Sequence, residues 1–451
     1  MTKFSGVNVP HLKNASACKP ERMATPKKVT IPMSMHIGTP AKPVVSVGDA
    51  VKVGQLIAVA NGFVSCPIHA SVSGKVKSID DMLMSNGQTS KAIIIEADGE
   101  QEVCEEITPP QVHDFDSFIA AVRASGLVGL GGAGFPTAVK LFVKELSKIE
   151  AIIVNGAECE PYVTSDTRTM LDDAELVVQG AKLLQKYLET ERVIIAIENN
   201  KSECIKKFRE LTKDVPGVTV TPLPSMYPQG GEKVLIYNTI GHIVPEGKLP
   251  IDAGVIVINC TTLAFIAKYI NTGMPLVEKT VTVDGSAVKT PKNVIAPIGT
   301  LIVELFDYCG GFKSEPGKVF YGGPMMGIAV PDLSVPVMKN TNAVVALNRK
   351  DAILPETTSC IRCGSCIDHC PMKLMPVEIE NAYELKKPEE LEKLKVNLCM
   401  ECGCCAYICP ARRPLVQVNK LAKAMLRRYQ AERKAEKEKQ ENRGKKEAVS
   451  K

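Results

Sequence analysis

The sequence predicts a multidomain α/β protein, and three observations carry that reading. Residues 29–97 alternate Val, Leu and Ile with polar residues between glycines; strands alternate with helices from Ala151 to Asn259; and one cysteine pattern occurs twice between Cys360 and Pro410. The chain is 451 residues long and 45% hydrophobic, with mean hydropathy +0.03. That leaves room for about three or four domains with ordinary cores.

The formal charge of +5 is unevenly spread, because eleven Lys or Arg stand against five Glu from Lys423 onward. The rest of the chain is close to neutral. Together with the absence of Trp, this argues against a nucleic-acid groove through the folded domains. No window reaches the roughly 18 uninterrupted apolar residues of a membrane helix, so a membrane role is expected to be peripheral.

Residues 1–28 show no period and read as an irregular lead-in, with Cys18 a bystander. From Val29 the Gly48-Asp49 turn and Gly54, Gly62 and Gly74 punctuate short strands, giving a small β domain that ends near Ala97. The segments "VGDAVKVGQ" and "HASVSGKV" resemble the facing halves of barrel-sandwich hybrid domains of the lipoyl and biotinyl type. No Lys stands in the attachment setting, so docking or scaffolding is expected rather than a swinging arm. His36 and His69 are read as turn or core histidines satisfied by backbone.

A helix is expected from about Phe115 to Ser125, capped by Asp114 or Asp116 and ended by Gly126. Beyond it, "GLVGLGGAGFPTAVKL" gathers Gly126, Gly129, Gly131, Gly132 and Gly134 ahead of a helix opened by Pro136. Such a loop lets peptide N–H groups approach a phosphate or a flat ring. Gly129, Gly131 and Gly134 spell G-x-G-x-x-G, but after a helix rather than a strand. A tight turn between helices remains the alternative.

Strands Ala151 to Asn155, Arg192 to Glu198, Val218 to Pro222 and Gly254 to Asn259 alternate with helices near 168–189, 202–213 and from Glu232. That alternation implies a parallel sheet covered on both faces, with ligands at the carboxyl ends of its strands. "VNGAECEPYVTSD" places Asn155, Glu158 and Glu160 at such an end. These carboxylates suit acid–base work or hydrogen bonds to a cofactor, with a solvated acidic loop as the alternative. "YPQGGEKVLI" presents Glu232 and Lys233 where a Gly pair opens a helix. Residues 279–311 read as a small mixed α/β unit, and "YGGPMMG" at 321–327 as a turn.

Cys360, Cys363, Cys366, Cys370 and Pro371 form one run of C-x2-C-x2-C-x3-C-P, and Cys399, Cys402, Cys405, Cys409 and Pro410 form a second. This is the pattern of bacterial two-cluster ferredoxins, in which the fourth cysteine of each run ligates the other [4Fe-4S] cluster. It predicts Cys360, Cys363 and Cys366 with Cys409, and Cys399, Cys402 and Cys405 with Cys370. Zinc would use two C-x2-C pairs per ion and leave a cysteine of each run and both Cys-Pro steps unexplained. The chain carries no secretory signal and its other cysteines are scattered singly, which disfavours a disulfide framework. Cys404 is a spare thiol or a register alternative to Cys405. Residues after Val418 begin helical and grade into a disordered charged tail.

The 126–141, "NGAECEP" and "YPQGGEK" stretches together resemble the flavoprotein subunit of respiratory NADH:quinone oxidoreductase, which binds FMN and NADH on a Rossmann-like domain followed by an SLBB β-grasp unit. With a barrel-sandwich domain in front and a two-cluster ferredoxin-like domain behind, the arrangement over residues 30–420 is similar to the RnfC proteins of the Rnf family, ion-pumping ferredoxin:NAD+ oxidoreductases of bacterial membranes. The boundaries expected are 1–28 lead-in, 29–100 barrel-sandwich, 111–274 FMN/NADH-binding, 275–330 SLBB, 331–354 linker, 355–420 two-cluster domain and 421–451 basic tail.

The resemblance implies FMN, NAD(H) and two [4Fe-4S] clusters as cofactors. It implies Gly129, Gly131 and Lys140 at the FMN phosphate and ribityl groups, with Gly132 and Gly134 in the same loop, and Asn155 and Glu158 at the flavin. Phe135 and Glu160 then face the nicotinamide and Glu232 the ribose or adenine end of NADH. The partners implied are membrane subunits of the complex and, indirectly, ferredoxin, at the cytoplasmic face of the inner membrane. Two other functions are weighed: a soluble NADH-dependent cobalamin reductase, disfavoured because it places the barrel-sandwich piece after the cluster domain, and an electron relay without flavin.

Overall fold

A computed structural model describes the backbone of residues 5–449 and side chains through residue 438. It divides into two compact units, one of Val9–Ser225 with Gln229–Ile353, the other of Met1–Asn8, Met226–Pro228 and Leu354–Lys451.

The larger unit is built on a four-stranded parallel sheet, in the order Val218–Leu223, Val193–Glu198, Ala151–Gly156, Val255–Asn259. Its strands read AIIV, VIIAI and VIVI because both faces are covered. Ile152, Val154 and Ile195 join the main core on one face, while Ile153, Ala196 and Val257 meet Leu235 and Ile236 of the helix Glu232–Ile240 on the other. The expected single helix over 168–189 is two, Ser165–Asp172 and Ala174–Tyr187, broken at Asp173.

Ahead of this sheet, Lys28–Pro32, Thr89–Ala97, Gly74–Leu83 and Ala50–Val51 form one antiparallel sheet, and Lys42–Pro43, Leu56–Val59 and Ile68–His69 another. Ile31, Ile57, Ile68 and Ile93 from these sheets share one continuous core with Phe118 and Val154. Lys339, 1% exposed, reinforces the junction by donating to the carbonyls of Pro67 and Gly126 at 2.5 and 2.6 Å. Only half of the histidine expectation holds. His36 Nε2 accepts from the Cys66 N–H at 2.9 Å, but Nδ1 of both His36 and His69 is buried without a partner. Burial, then the Lys339 charge, pushes His36 down to about 4 and His69 to about 3, so both are neutral.

A six-stranded mixed sheet completes the unit, in the order Glu21–Arg22, Lys292–Pro297, Glu278–Asp284, Ala343–Asn348, Pro316–Tyr321, Ile328–Ala329, with the helix Ile302–Tyr308 packed on it. One expectation is corrected here. Residues 331–354 are not simply a linker, because the buried run AVVAL makes Ala343–Asn348 an interior strand of this sheet. The lead-in is fastened to the same unit: Glu21–Arg22 pairs with Val294 and Ile295, and the Asp284 carboxylate accepts from the backbone and side-chain amides of Asn14.

The smaller unit is helical, with Pro376–Glu384, Pro388–Lys393 and Leu415–Val449 as its main elements. Leu374, Ile379, Leu391, Val396, Ala422 and Leu426 form its core. The disordered tail is corrected for the described residues, since the backbone stays helical to Val449. Glu, Lys, Arg, Gln and Ala dominate there, all strong helix formers, with pairs such as Lys434 and Glu438 four residues apart. Residues 450 and 451 of the expected tail lie outside the described backbone. Among the described residues no helix is long and apolar enough to cross a membrane.

Candidate functional site

The carboxyl ends of the parallel strands carry the first site. Strand register sets Asn155 directly beside Asn259. The Asn155 amide donates to the Gly230 carbonyl at 2.9 Å and its carbonyl accepts from the Ala157 N–H at 3.1 Å, so one side chain fastens two loops. Asn259 caps the helix Cys260–Thr272 by accepting from the Thr262 N–H and donates to Asp166 at 2.8 Å.

The glycine loop closes over this floor. Gly129 N–H donates to the Phe135 carbonyl, Gly134 N–H donates back to the Gly129 carbonyl, and Leu130 N–H reaches Thr262 Oγ1. Gly131 needs its lack of side chain, because a Cβ there would lie 2.9 Å from Asn259 Nδ2. Gly132, at φ +109°, occupies backbone space that L side chains avoid. Gly131, Gly132 and Ala133 are exposed, and none of their N–H groups bonds another described residue. That is the arrangement a phosphate or ribityl chain needs, so the loop fits the flavin that the sequence implies. Phe135 is half-buried and closes the loop through its carbonyl.

The two acidic candidates differ in what they hold. The Glu158 carboxylate accepts from the N–H groups of Asp166 and Thr167 at 2.7 and 3.2 Å and from the Thr167 hydroxyl at 2.6 Å. It therefore anchors the start of the helix Ser165–Asp172. Glu160 accepts from the N–H groups of Met325 and Met326 at 3.1 and 2.7 Å, tying the turn 321–327 to the cleft. Burial pushes Glu160 up to about 7, with those two N–H groups opposing.

Lys140 and Glu232, predicted from separate stretches, meet as an ion pair at 2.7 Å, each about a third exposed. Lys140 also donates to the Val257 carbonyl at 3.1 Å, which holds the pair against the strand Val255–Asn259.

Several contributors escaped the sequence reading. Lys13 Nζ donates to the carbonyls of Glu158, Glu160 and Val163 at 2.9, 3.0 and 2.5 Å, with the Glu158 carboxylate 3.9 Å away. Glu198 and Lys201 form a buried pair at 2.5 Å. Lys279 donates to the Leu130 carbonyl, and burial pulls it down to about 8. Nothing short-range marks these residues; each is an ordinary Lys or Glu until the fold buries it. Cys159, beneath Gly230, is pushed up to about 12 by burial and then by Glu198, so it is no nucleophile.

The second site lies wholly in the smaller unit. Cys409 packs on a hydrophobic cluster that includes Cys366. Cys370, Cys399, Cys402 and Cys405 line one pocket with Pro371, Leu374 and Val416. Backbone N–H groups of Arg362, Leu374 and Glu401 point at the sulfurs of Cys360, Cys370 and Cys399 at 3.3–3.4 Å, the donor environment that iron-bound thiolates require. Cys404 is fully buried and directed at the Tyr227 carbonyl, 3.9 Å away.

Comparison with known proteins matches four family models in sequence: the RnfC barrel sandwich hybrid domain over residues 2–100, the Nuo51 FMN-binding domain over 122–268, the SLBB domain over 280–329 and a 4Fe-4S dicluster domain over 352–410. The C subunit of a proton-translocating ferredoxin:NAD(+) oxidoreductase complex of Clostridium ljungdahlii is 43% identical over 82% of this chain and 82% of its own length. That of the Na(+)-translocating complex of Acetobacterium woodii is 41% identical, over 83% of this chain and 85% of its own. That of an ion-translocating oxidoreductase complex of Rhodobacter capsulatus is 38% identical, over 93% and 82%.

Proposed function

Because the chain belongs to the family of C subunits of ion-translocating ferredoxin:NAD+ oxidoreductase (Rnf) complexes, we propose that its strand-end cleft holds FMN and receives the nicotinamide of NAD(H). The chain is an electron-transfer subunit with an FMN domain and two [4Fe-4S] clusters. Bound FMN exchanges a hydride with NAD(H) and single electrons with clusters.

One observation carries the placement: the free N–H crest of Gly131, Gly132 and Ala133 stands over Asn259 at the carboxyl end of a parallel sheet. In this reading the crest and Lys140 bind the phosphate and ribityl groups, with Gly129 and Gly134 closing the loop. Asn155 fixes the cleft floor, and Glu158 positions the 155–163 loop from beneath. Glu160 and Phe135 border the nicotinamide, and Glu232 orients Lys140 and meets the far end of NADH. Working with membrane subunits, the chain sits at the cytoplasmic face, where NAD(H) and ferredoxin are available, and exchanges electrons with ferredoxin through other subunits.

Glu160 gives the test. It is neutral below about pH 7 and anionic above it, and an anion beside the nicotinamide stabilises the positive charge that ring gains as its hydride leaves. The rate of flavin bleaching by NADH is expected to rise as pH rises through about 7 in the wild type, and to lose that inflection in Glu160→Gln with FMN retained. Glu160→Ala is expected to slow bleaching about tenfold or more. An unchanged rate and pH profile in both variants, with FMN in place, removes Glu160 from the nicotinamide side.

A further inference from the structure

The two cysteine runs repeat at a spacing of 39 residues, and the backbone repeats with them. Arg362 and Glu401, Gly364 and Gly403, and Lys373 and Arg412 are matched pairs at positive φ. The helices that follow start at matched positions, Pro376 and Leu415. Backbone donors repeat as well, with Arg362 N–H on Cys360 and Glu401 N–H on Cys399, both at 3.4 Å. Ser365, whose Oγ lies 3.4 Å from Cys363 Sγ, corresponds to Cys404, so that cysteine occupies a neighbour position rather than a ligand position.

The symmetry fails at one buried pair. Asn419, 1% exposed, directs Nδ2 at Cys399 Sγ from 3.5 Å, and its Oδ1 is buried without a partner. Its counterpart Glu380, 2% exposed, carries a carboxylate instead and gives it to Arg413 at 2.6 Å. One turn beyond Asn419, Lys423 donates to the Cys399 carbonyl at 3.0 Å and pairs with Glu401.

We infer that Asn419 is a positioning residue that raises the reduction potential of the cluster held by Cys370, Cys399, Cys402 and Cys405, and so sets the two clusters apart electronically within one repeated backbone. A donor aimed at a ligand sulfur stabilises the reduced, more electron-rich cluster more than the oxidised one. The first run has no such amide. Its equivalent position is spent on a neutralised ion pair, leaving the Arg362 N–H as the donor to Cys360.

The inference rests on the two-cluster assignment, so iron content is read before potential. The full-length holoprotein, prepared anaerobically, is titrated electrochemically with both cluster signals followed by electron paramagnetic resonance. Asn419→Leu keeps the size and removes the donor; Asn419→Asp places an anion beside the sulfur. With wild-type iron, one of the two potentials is expected to fall in Asn419→Leu and to fall further in Asn419→Asp, while the other stays fixed. Two unchanged potentials, or two that fall together, overturn the inference. Loss of iron in both variants also overturns it, by assigning Asn419 to assembly of the cluster. A wild-type protein with no iron would instead defeat the two-cluster assignment itself.

Discussion

Replacing Cys409 with alanine removes the cluster of the first cysteine run and leaves that of the second. Cys409 follows Cys405 by four residues in sequence, yet it packs on a hydrophobic cluster that includes Cys366, and Cys370 lines a pocket with Cys399, Cys402 and Cys405. A cluster that loses one of four thiolates is expected to assemble poorly, so iron in Cys409→Ala falls to about half. Pairing the substitutions separates this from local ligation. Cys409→Ala with Cys360→Ala costs no more iron than either alone, because both serve one cluster; Cys409→Ala with Cys399→Ala costs nearly all of it. The opposite pattern would mean that each run binds its own cluster.

Lys13→Ala is expected to cost about 3–5 kcal/mol, the range for removing one partner of a buried charge cluster. The ammonium is the shared donor for three carbonyls of the 158–163 loop and lies beside the buried Glu158 carboxylate. Burial pulls Lys13 below its usual range, with Glu158 the main opposing influence. Without it the loop bearing Glu160 loses its fastening, so FMN occupancy should fall along with thermal stability. Lys13→Met, which restores the packing of the chain but not the charge, should rescue only part of the loss. Wild-type melting temperature and FMN content in both variants would show that the lead-in does not hold this loop.

The contrast between these two residues shows what the sequence could disclose. Cluster cysteines repeat at fixed short spacing because one tight loop must reach several corners of a cube, so their pattern survives without any knowledge of the fold. The parallel strands are legible for a related reason, since a strand covered on both faces is an unbroken apolar run, as at Val193 to Ile197. Lys13 is different. Its partners lie 145–150 residues away, and a lysine in an aperiodic stretch carries no mark of burial. Ala343–Asn348 was hidden by its surroundings: its apolar run is as clear as any strand, but it follows a polar, proline-bearing stretch and pairs with Glu278–Asp284, far earlier in the chain. Glu158 was found for its position at a strand end, while its function in capping a helix depends on Asp166 and Thr167 folding back onto it. Lys140 and Glu232 were each legible as site candidates, but their pairing is a fact of the sheet that separates them.

Anaerobic addition of NADH to the purified full-length protein, with the flavin absorbance band followed, tests the central claim most directly. The strand-end cleft predicts that about one flavin per chain bleaches, because FMN and nicotinamide share that cleft and the exchange needs no cluster of particular potential. Bound flavin that stays oxidised in excess NADH would contradict the claim and assign the reducing input to another donor.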